Sequence, residues 1–365
     1  MTLTQLLRRL KPFPAFRSTQ PLQLIALLVL PLIVVAVFSL VSQAETGTPP
    51  LKNDQQQQEI LEEYFKQMAV LEDDDSFNDR DSATVPEALT LTALRELNGE
   101  RKGLVLQFLS EANLIASDQP SISLQNADLR AVKLAQIQLG AIDLRGANLQ
   151  KAQLQSANLA GSNLTKTQLQ NAALRQINLQ QATLPQAVLI RADLSAANLV
   201  GADLQEANLQ GANLRRADLR GANLRDAILE GARMEGAILE DATLEEIDAE
   251  NVILRRANLQ RSRLKGAVLR GGFFEDANFT GADLRETDLR AALLNNAELE
   301  GVDLQDADLE RAVLKEADLE RANLQNVDFK YANLKDANLT DANPRRAIWC
   351  NTTMPEGRQN DRNCP

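Results

Sequence analysis

The sequence predicts an all-β solenoid, a stack of about eleven coils, with a helical module and one transmembrane helix on its N-terminal side. Three observations predict it. A five-residue repeat runs unbroken through more than half of the chain, a helical apolar period precedes it, and one long apolar run follows a cationic N-terminus. Composition narrows the chemistry, because of 365 residues none is His, two are Cys, one is Trp and two are Tyr. No imidazole can act as a general base or ligand, two thiolates cannot make an all-thiolate zinc site, and scarce aromatics oppose a base-stacking platform. The expectation is therefore no catalysis, no cofactor and no metal centre.

Residues 1–44 carry Arg8, Arg9, Lys11 and Arg17 and no acid. They lead into residues 21–41, an apolar run interrupted only by Gln23, Pro31 and Ser39. At ~1.5 Å per residue such a run can cross a ~30 Å hydrocarbon core. Pro31 can kink it without forbidding it. The positive-inside bias then keeps the N-terminus cytoplasmic and sends the bulk of the chain across the membrane. Ser42-Gln43-Ala44 fits a small-x-small cleavage site, so a signal peptide released before Glu45 is the alternative. Both readings export the same folded part.

Residues 45–120 read as an acidic helical linker and cap, with 16 acids against 6 bases. The stretch 45–58, with Pro49, Pro50 and the glutamines at 55–58, reads as a spacer. From Glu59 on, Ile60, Leu61, Tyr64, Phe65, Met68 and Leu71 mark one helical face, which the acids at 72–75 end. A second helix is expected near Thr84, where Thr84 and Glu87 have capping-box spacing and Pro86 suits a first turn. Leu91, Leu94 and Leu97 are its stripe, Asn98-Gly99 its stop, and Leu104, Val105, Phe108, Leu109 and Ala112 suggest a third helix to about Ile115.

From Leu124 to Leu339 every fifth residue is a centre, and 39 of these 44 positions are Leu; the others are Met234, Ala249, Phe274, Phe279 and Phe329. Two residues before the centre, 30 of 44 positions are Ala, and no insertion shifts the frame. On an α-helix, steps of five advance ~140° net and would scatter the leucines around the axis. In a straight strand an odd spacing alternates faces. The chain must therefore turn once per repeat, with the centre and its Ala inward and the other three positions outward. Four units closing a square give a coil of about 20 residues. Charges 20 apart then stack in columns of alternating sign, as Arg215/Glu235/Arg255, Arg225/Glu245/Lys265 and Arg290/Glu310/Lys330 do, with the pairs Arg256/Asp276 and Asp241/Arg261; Glu300/Glu320 runs against the rule.

Units such as Gly201-Ala202-Asp203-Leu204-Gln205 and Gly211-Ala212-Asn213-Leu214-Arg215 resemble the pentapeptide-repeat family, A-(D/N)-L-x-x. The resemblance covers residues 121–345 and implies a right-handed quadrilateral parallel β-helix. The stretch from Leu94 to Leu109 and the tail from Trp349 to Gly357 are similar to segments flanking the repeats in membrane-anchored or lumenal cyanobacterial members. That narrower resemblance implies a periplasm or a thylakoid lumen and no known activity.

Within this frame, Ala249 is the one small centre, with bulky Ile247 and Val252 beside it; volume compensation is expected over a notch. Gly271-Gly272-Phe273-Phe274 reads as local repacking, since no helix start or Lys-Ser/Thr follows as a phosphate loop needs. Pro344 stands on a centre and is expected to close the last coil, leaving 346–365 as a C-terminal cap. Cys350 and Cys364 should pair if exported; free structural thiols are the alternative.

The candidate interaction surface comprises the basic cluster Arg215, Arg216, Arg220 and Arg225 and the stacked acids Asp288, Asp308 and Asp328. The three acids could hold a divalent ion, although Arg and Lys neighbours favour a solvated ladder. The function expected is a membrane-tethered scaffold for an unknown protein partner, with end-to-end or cap-mediated self-association. Two rivals are a mechanical spacer and a DNA mimic, since some family members resemble duplex DNA and bind topoisomerases. Residues 121–365 carry 34 acids against 29 bases, a balance that imitates duplex charge poorly and keeps the DNA mimic as the alternative; nucleic acid is not expected as a partner.

Overall fold

The computed structural model describes residues 52–73, 84–115, 121–362 and 364. The apolar run at 21–41 and the cleavage-site tripeptide lie outside them. Among the described residues, no helix is long and apolar enough to cross a membrane. The chain divides into two units, one ending near Leu114 and one running from Ser123 onward.

The first unit holds α1 (Lys52–Asp73), α2 (Thr84–Glu96) and α3 (Gly99–Glu111). The anticipated apolar face of α1 is its buried one: Leu61, Tyr64, Phe65 and Met68 are all buried. They join Leu94 and Leu97 of the second helical segment and Val105, Phe108 and Leu109 of α3 in one core. Phe65 meets Phe108 edge-on at 5.1 Å, and the Tyr64 hydroxyl lies 3.0 Å from that of buried Thr90, so each buried polar atom has a partner.

Three boundaries differ from the sequence reading, and one is the end of α3, which stops at Glu111 with Ala112 as its C-cap, short of Ile115. Helix α1 starts at Lys52, so the glutamines at 55–58 are helical and not a spacer. Glutamine is a good helix former, and polar positions carry no periodic signal by which a helix start could be read. Gln57 also clamps the turn between α2 and α3, since its amide donates to Glu96 O at 2.8 Å and accepts from Asn98 N at 2.6 Å. Asn98, read as a stop, is the N-cap of α3, its side chain accepting from Arg101 N. The Thr84 side chain, half of the anticipated capping box, lies outside the described residues.

The second unit is a four-cornered parallel β-helix. Parallel bridges join each residue before a centre to the one 20 positions on, from Asp128↔Asn148 to Asn333↔Thr353. Each bridge has two backbone bonds; thus Leu129 N donates to Asn148 O at 2.8 Å and Asn148 N to Ala127 O at 2.9 Å. The predicted 20-residue closure is therefore the observed one. Every corner has the same device. The residue two past the centre has φ near +60°, from Asn126 at 57° to Asn351 at 55°, and at most corners the third residue past the centre donates back to the centre carbonyl, as Ala127 N does to Leu124 O; Ile142 N donates to Ser162 Oγ instead. This is the dihedral signature of a type II turn. The requirement explains why no Val, Ile or Thr occupies that position between 126 and 351, because β-branched side chains are strained at positive φ.

Centres and small residues fill the interior as predicted. Where Ser or Thr replaces the inward Ala, its hydroxyl is satisfied: Thr167 donates to Leu144 O, Ser262 to Leu259 O and Thr287 to Leu284 O. Ala249 is flanked by buried Ile247 and Val252, and the ladder continues through Asp248↔Val268, which is the volume compensation expected. At Gly272 an added Cβ would lie 2.5 Å from the Phe274 ring. The glycine thus makes room for Phe274, which packs against Phe279 with centroids 5.6 Å apart.

Pro344 does not end the ladder, because Asp328↔Ile348 and Asn333↔Thr353 follow it. Trp349 takes the next centre and stacks on Phe329 at 4.8 Å, so the array runs on into the segment read as a cap. Pro344 is exposed and needs no interior donor. Beyond it, β1 (Thr352–Thr353) and β2 (Gln359–Asn360) form a hairpin. Cys350 and Cys364, 14 positions apart in sequence, are joined by a disulfide with Cα atoms 4.7 Å apart, which closes the segment between them into a loop.

Candidate interaction surface

The outward residues form rows along the rod, one before and two after each centre. The row before the centre is rich in Asp and Asn for a local reason. Its side-chain oxygen accepts the backbone N–H two residues on, as Asn198 Oδ1 does from Val200 N at 3.2 Å. The same side chains link coils, Asn198 Nδ2 donating to Asn178 Oδ1 at 3.0 Å and Asn223 Nδ2 to Asp203 Oδ1 at 2.9 Å.

Where Asp precedes a centre and Arg follows it, the guanidinium folds back over the turn. Arg220 reaches Asp218 at 2.6 Å, Arg285 reaches Asp283 at 2.6 Å and Arg290 reaches Asp288 at 2.5 Å. These Asp-Leu-Arg pairs are legible as tripeptides, two residues apart, and lie outside the columns of residues 20 apart. The column pairing holds for Arg215–Glu235 at 2.6 Å, Arg225–Glu245 at 3.2 Å, Arg256–Asp276 at 3.4 Å and Arg261–Asp241 at 2.9 Å. It fails at Lys265, which pairs with Glu286, and at Arg290, which turns to Asp288 and Asp308 rather than to Glu310. At Arg290 the partner two residues off in the same repeat wins, whereas Lys265 crosses diagonally to the next coil.

The two sets of candidate residues fare differently. Arg215, Arg216, Arg220 and Arg225 are neighbours in sequence but occupy three successive corners of one coil. Arg215 and Arg216 share a corner, while Arg220 and Arg225 lie one and two corners further round, so the four do not form a single basic patch. Asp288, Asp308 and Asp328 are brought together, joined by consecutive bridges. Cations already serve this ladder: Arg270 and Arg290 on Asp288 at 2.8 and 2.5 Å, Arg290 near Asp308 at 3.5 Å, and Lys330 on Asp328 at 2.9 Å. Hydrogen bonds from Arg290 and, less strongly, Arg270 hold the Asp288 carboxyl below the usual range. Partial burial pushes Asp308 up, and the charge of Asp328 adds to it. The cations make this a self-neutralised ladder, and among the described residues no group of three or more acids or thiols is arranged to hold a metal ion.

One row departs from the polar pattern. Ile253, Phe273, Leu293 and Val313 are joined by consecutive bridges and face outward, each partly exposed. Arg255 lies over the Phe273 ring, 4.9 Å from its centroid. The sequence reading did not single out this row; reading every fourth repeat together would have found it.

The model of the family described as "Pentapeptide repeats" matches eight copies between residues 122 and 343. HetL, a pentapeptide repeat protein involved in heterocyst differentiation regulation from the cyanobacterium Nostoc, is 30% identical over 71% of this chain and 98% of its own, with a TM-score of 0.31. A pentapeptide repeat protein from the Arabidopsis thaliana thylakoid lumen is 36% identical over 30% of this chain and 68% of its own, with a TM-score of 0.18. Full-length QnrB1, a plasmid-mediated fluoroquinolone resistance protein, is 21% identical over 49% of this chain and 91% of its own, with a TM-score of 0.28. No curated protein matches this chain.

Proposed function

The chain belongs to the pentapeptide repeat family, whose repeats imply a right-handed quadrilateral β-helix, and from that premise we propose that it is a non-enzymatic, membrane-tethered scaffold. The rod, of about eleven coils and ~53 Å long at ~4.8 Å per coil, stands on the non-cytoplasmic side and offers its rows to a protein partner. Residues 21–41 anchor it, and the four N-terminal cations hold the N-terminus in the cytoplasm. The disulfide between Cys350 and Cys364 carries this reading, because such bonds persist in oxidising compartments and are rare in reducing ones. The compartment is a periplasm or a thylakoid lumen.

The rod's chemistry supports recognition rather than catalysis. Many of its Asp and Arg groups pair with each other on the outside of a regular stack, which gives a patterned surface. Crosslinking of the full-length protein in its own membranes tests the reading: a reproducible protein partner is expected, and a chain that crosslinks to nothing would make it a mechanical spacer. Adding the full chain to a DNA-supercoiling assay should leave the topoisomerase active; stoichiometric inhibition would favour the DNA-mimic alternative.

A further inference from the structure

The partly exposed row Ile253, Phe273, Leu293 and Val313 extends over three coil spacings, about 14 Å at ~4.8 Å each. Among the described residues no other row of bridged positions has two apolar side chains in succession: Val188, Ile228 and Val268 alternate with Asn208 and Asp248, and Ile238 is single. Isolated surface hydrophobes need no explanation; four partly exposed ones on consecutive coils form a contiguous stripe. Polar residues bound it at both ends, Arg233 and Asn213 on one side and Asn333 and Thr353 on the other.

We infer that this face is the contact between two copies of the chain, packed side by side and antiparallel, with the twofold axis between the coils of Phe273 and Leu293. The register decides the orientation. Antiparallel packing sets Phe273 against Leu293 of the second copy, Ile253 against Val313, Arg233 against Asn333 and Asn213 against Thr353. A parallel pair in register would instead set Asp193 against Asp193 and Arg233 against Arg233, which costs like-charge repulsion.

The flanking rows fit the antiparallel choice. In the row after the centre, Glu235 faces Lys335 of the second copy. Glu235 accepts from Arg215 through Oε1 at 2.6 Å, which holds its carboxylate in place on that row. At the corner, Tyr331, which is 52% exposed, faces Gly231, where an added Cβ would meet nothing within 4 Å. In the row after the centre the one like-charged pair, Arg255 against Lys315, is offset by Glu275, which accepts from Arg255 twice, at 3.0 and 3.1 Å. This association is lateral and does not depend on the membrane tether.

Light scattering of the full-length protein in mild detergent, with the micelle mass subtracted, tests it. A dimer at micromolar concentration is expected. Leu293→Asp should weaken association at least about tenfold, because it places two carboxylates in the middle of the stripe. The row already carries Asp193 and Arg233, so the fold should tolerate it; an unchanged far-UV spectrum checks this, and Leu293→Asn serves if it does not. Lys335→Glu should weaken the dimer, and adding Glu235→Lys should restore it. A monomeric wild type, a dimer indifferent to Leu293→Asp, or a charge swap without restoration would each overturn the proposal. A monomer would leave the membrane-tether reading standing, because that reading is judged by fractionation.

Discussion

The helical unit and the β-helix stay folded in opposite ways. In the first, three helices share one irregular core, where Tyr64, Phe65, Met68, Leu94 and Phe108 each occur once and each contact is unique. In the second, a centre and a positive-φ corner recur in every repeat, with Ala at most of the positions two before the centre, and the backbone ladder joins each coil to the next. A solenoid of this kind has nearest-neighbour energetics, so a fault in one coil is shared chiefly with the coils on either side. The helical unit has no such repetition to fall back on.

The sharpest way to break the regular pattern is at its largest irregularity. Phe274→Ala should destabilise the rod by about 3–5 kcal/mol in denaturant unfolding, as deletion of a buried aromatic does. Gly272→Ala should cost about 1–3 kcal/mol by itself, because its methyl would strike the Phe274 ring. The same change in a Phe274→Leu background restores the common Ala-x-Leu unit and should be close to neutral. Equal costs in both backgrounds would show that the two positions are not coupled.

The disulfide comes next. Replacing Cys350 and Cys364 with Ser should cost about 3 kcal/mol by the loop-entropy argument. Hydrogen exchange should then rise in β1, β2 and the Trp349 coil and stay low in the middle of the rod. Uniform loss of protection would refute the nearest-neighbour picture.

The corners give an effect of either sign. Ala196 has φ of +55°, so Ala196→Gly should stabilise by up to about 1 kcal/mol and Ala196→Val should destabilise by about 1–2 kcal/mol. In the helical unit, Tyr64→Phe removes the partner of the buried Thr90 hydroxyl and should cost about 1 kcal/mol, read from the helical signal.

The smallest effect is the dependence on pH. The lowered pKa of Asp288 means its contribution is present above the ordinary carboxylate range and is lost as pH falls through the depressed value, in strong acid. Asp308, raised, has the opposite sign: its contribution is full below the ordinary range and is lost as pH rises through the raised value. Asp288→Asn should therefore flatten the acid limb of the stability profile, and Asp308→Asn should remove the loss on the other side.

These two regions also differ in how openly the sequence declares them. The period of five forces one turn per repeat, and it predicts the 20-residue closure seen in the bridges because no ordinary helix or strand can bury it. The positive-φ corner was present in the sequence as a missing class of residue, and absent Val, Ile and Thr are harder to notice than present Leu. The Asp-Leu-Arg pairs were visible as tripeptides, yet a column reading ranked partners 20 residues off above partners two residues off. The helical start at Lys52 was hidden because Gln55 to Gln58 carry no apolar rhythm, and Asn98 reads equally as the end of one helix or the cap of the next. Of the candidate surface, the acid ladder survives as a spatial unit and the arginine cluster does not, since sequence neighbours in a square coil turn away from each other at each corner.

The claim on which the functional account rests is that the rod stands in an oxidising compartment, tethered to a membrane. Fractionation of cells under thiol-trapping conditions tests it most directly: membranes are washed at alkaline pH and the full-length protein is treated with an alkylating mass tag before and after reduction. The protein is expected to stay with the washed membranes, and Cys350 and Cys364 to take the tag only after reduction. A soluble protein with both thiols tagged before reduction would contradict it.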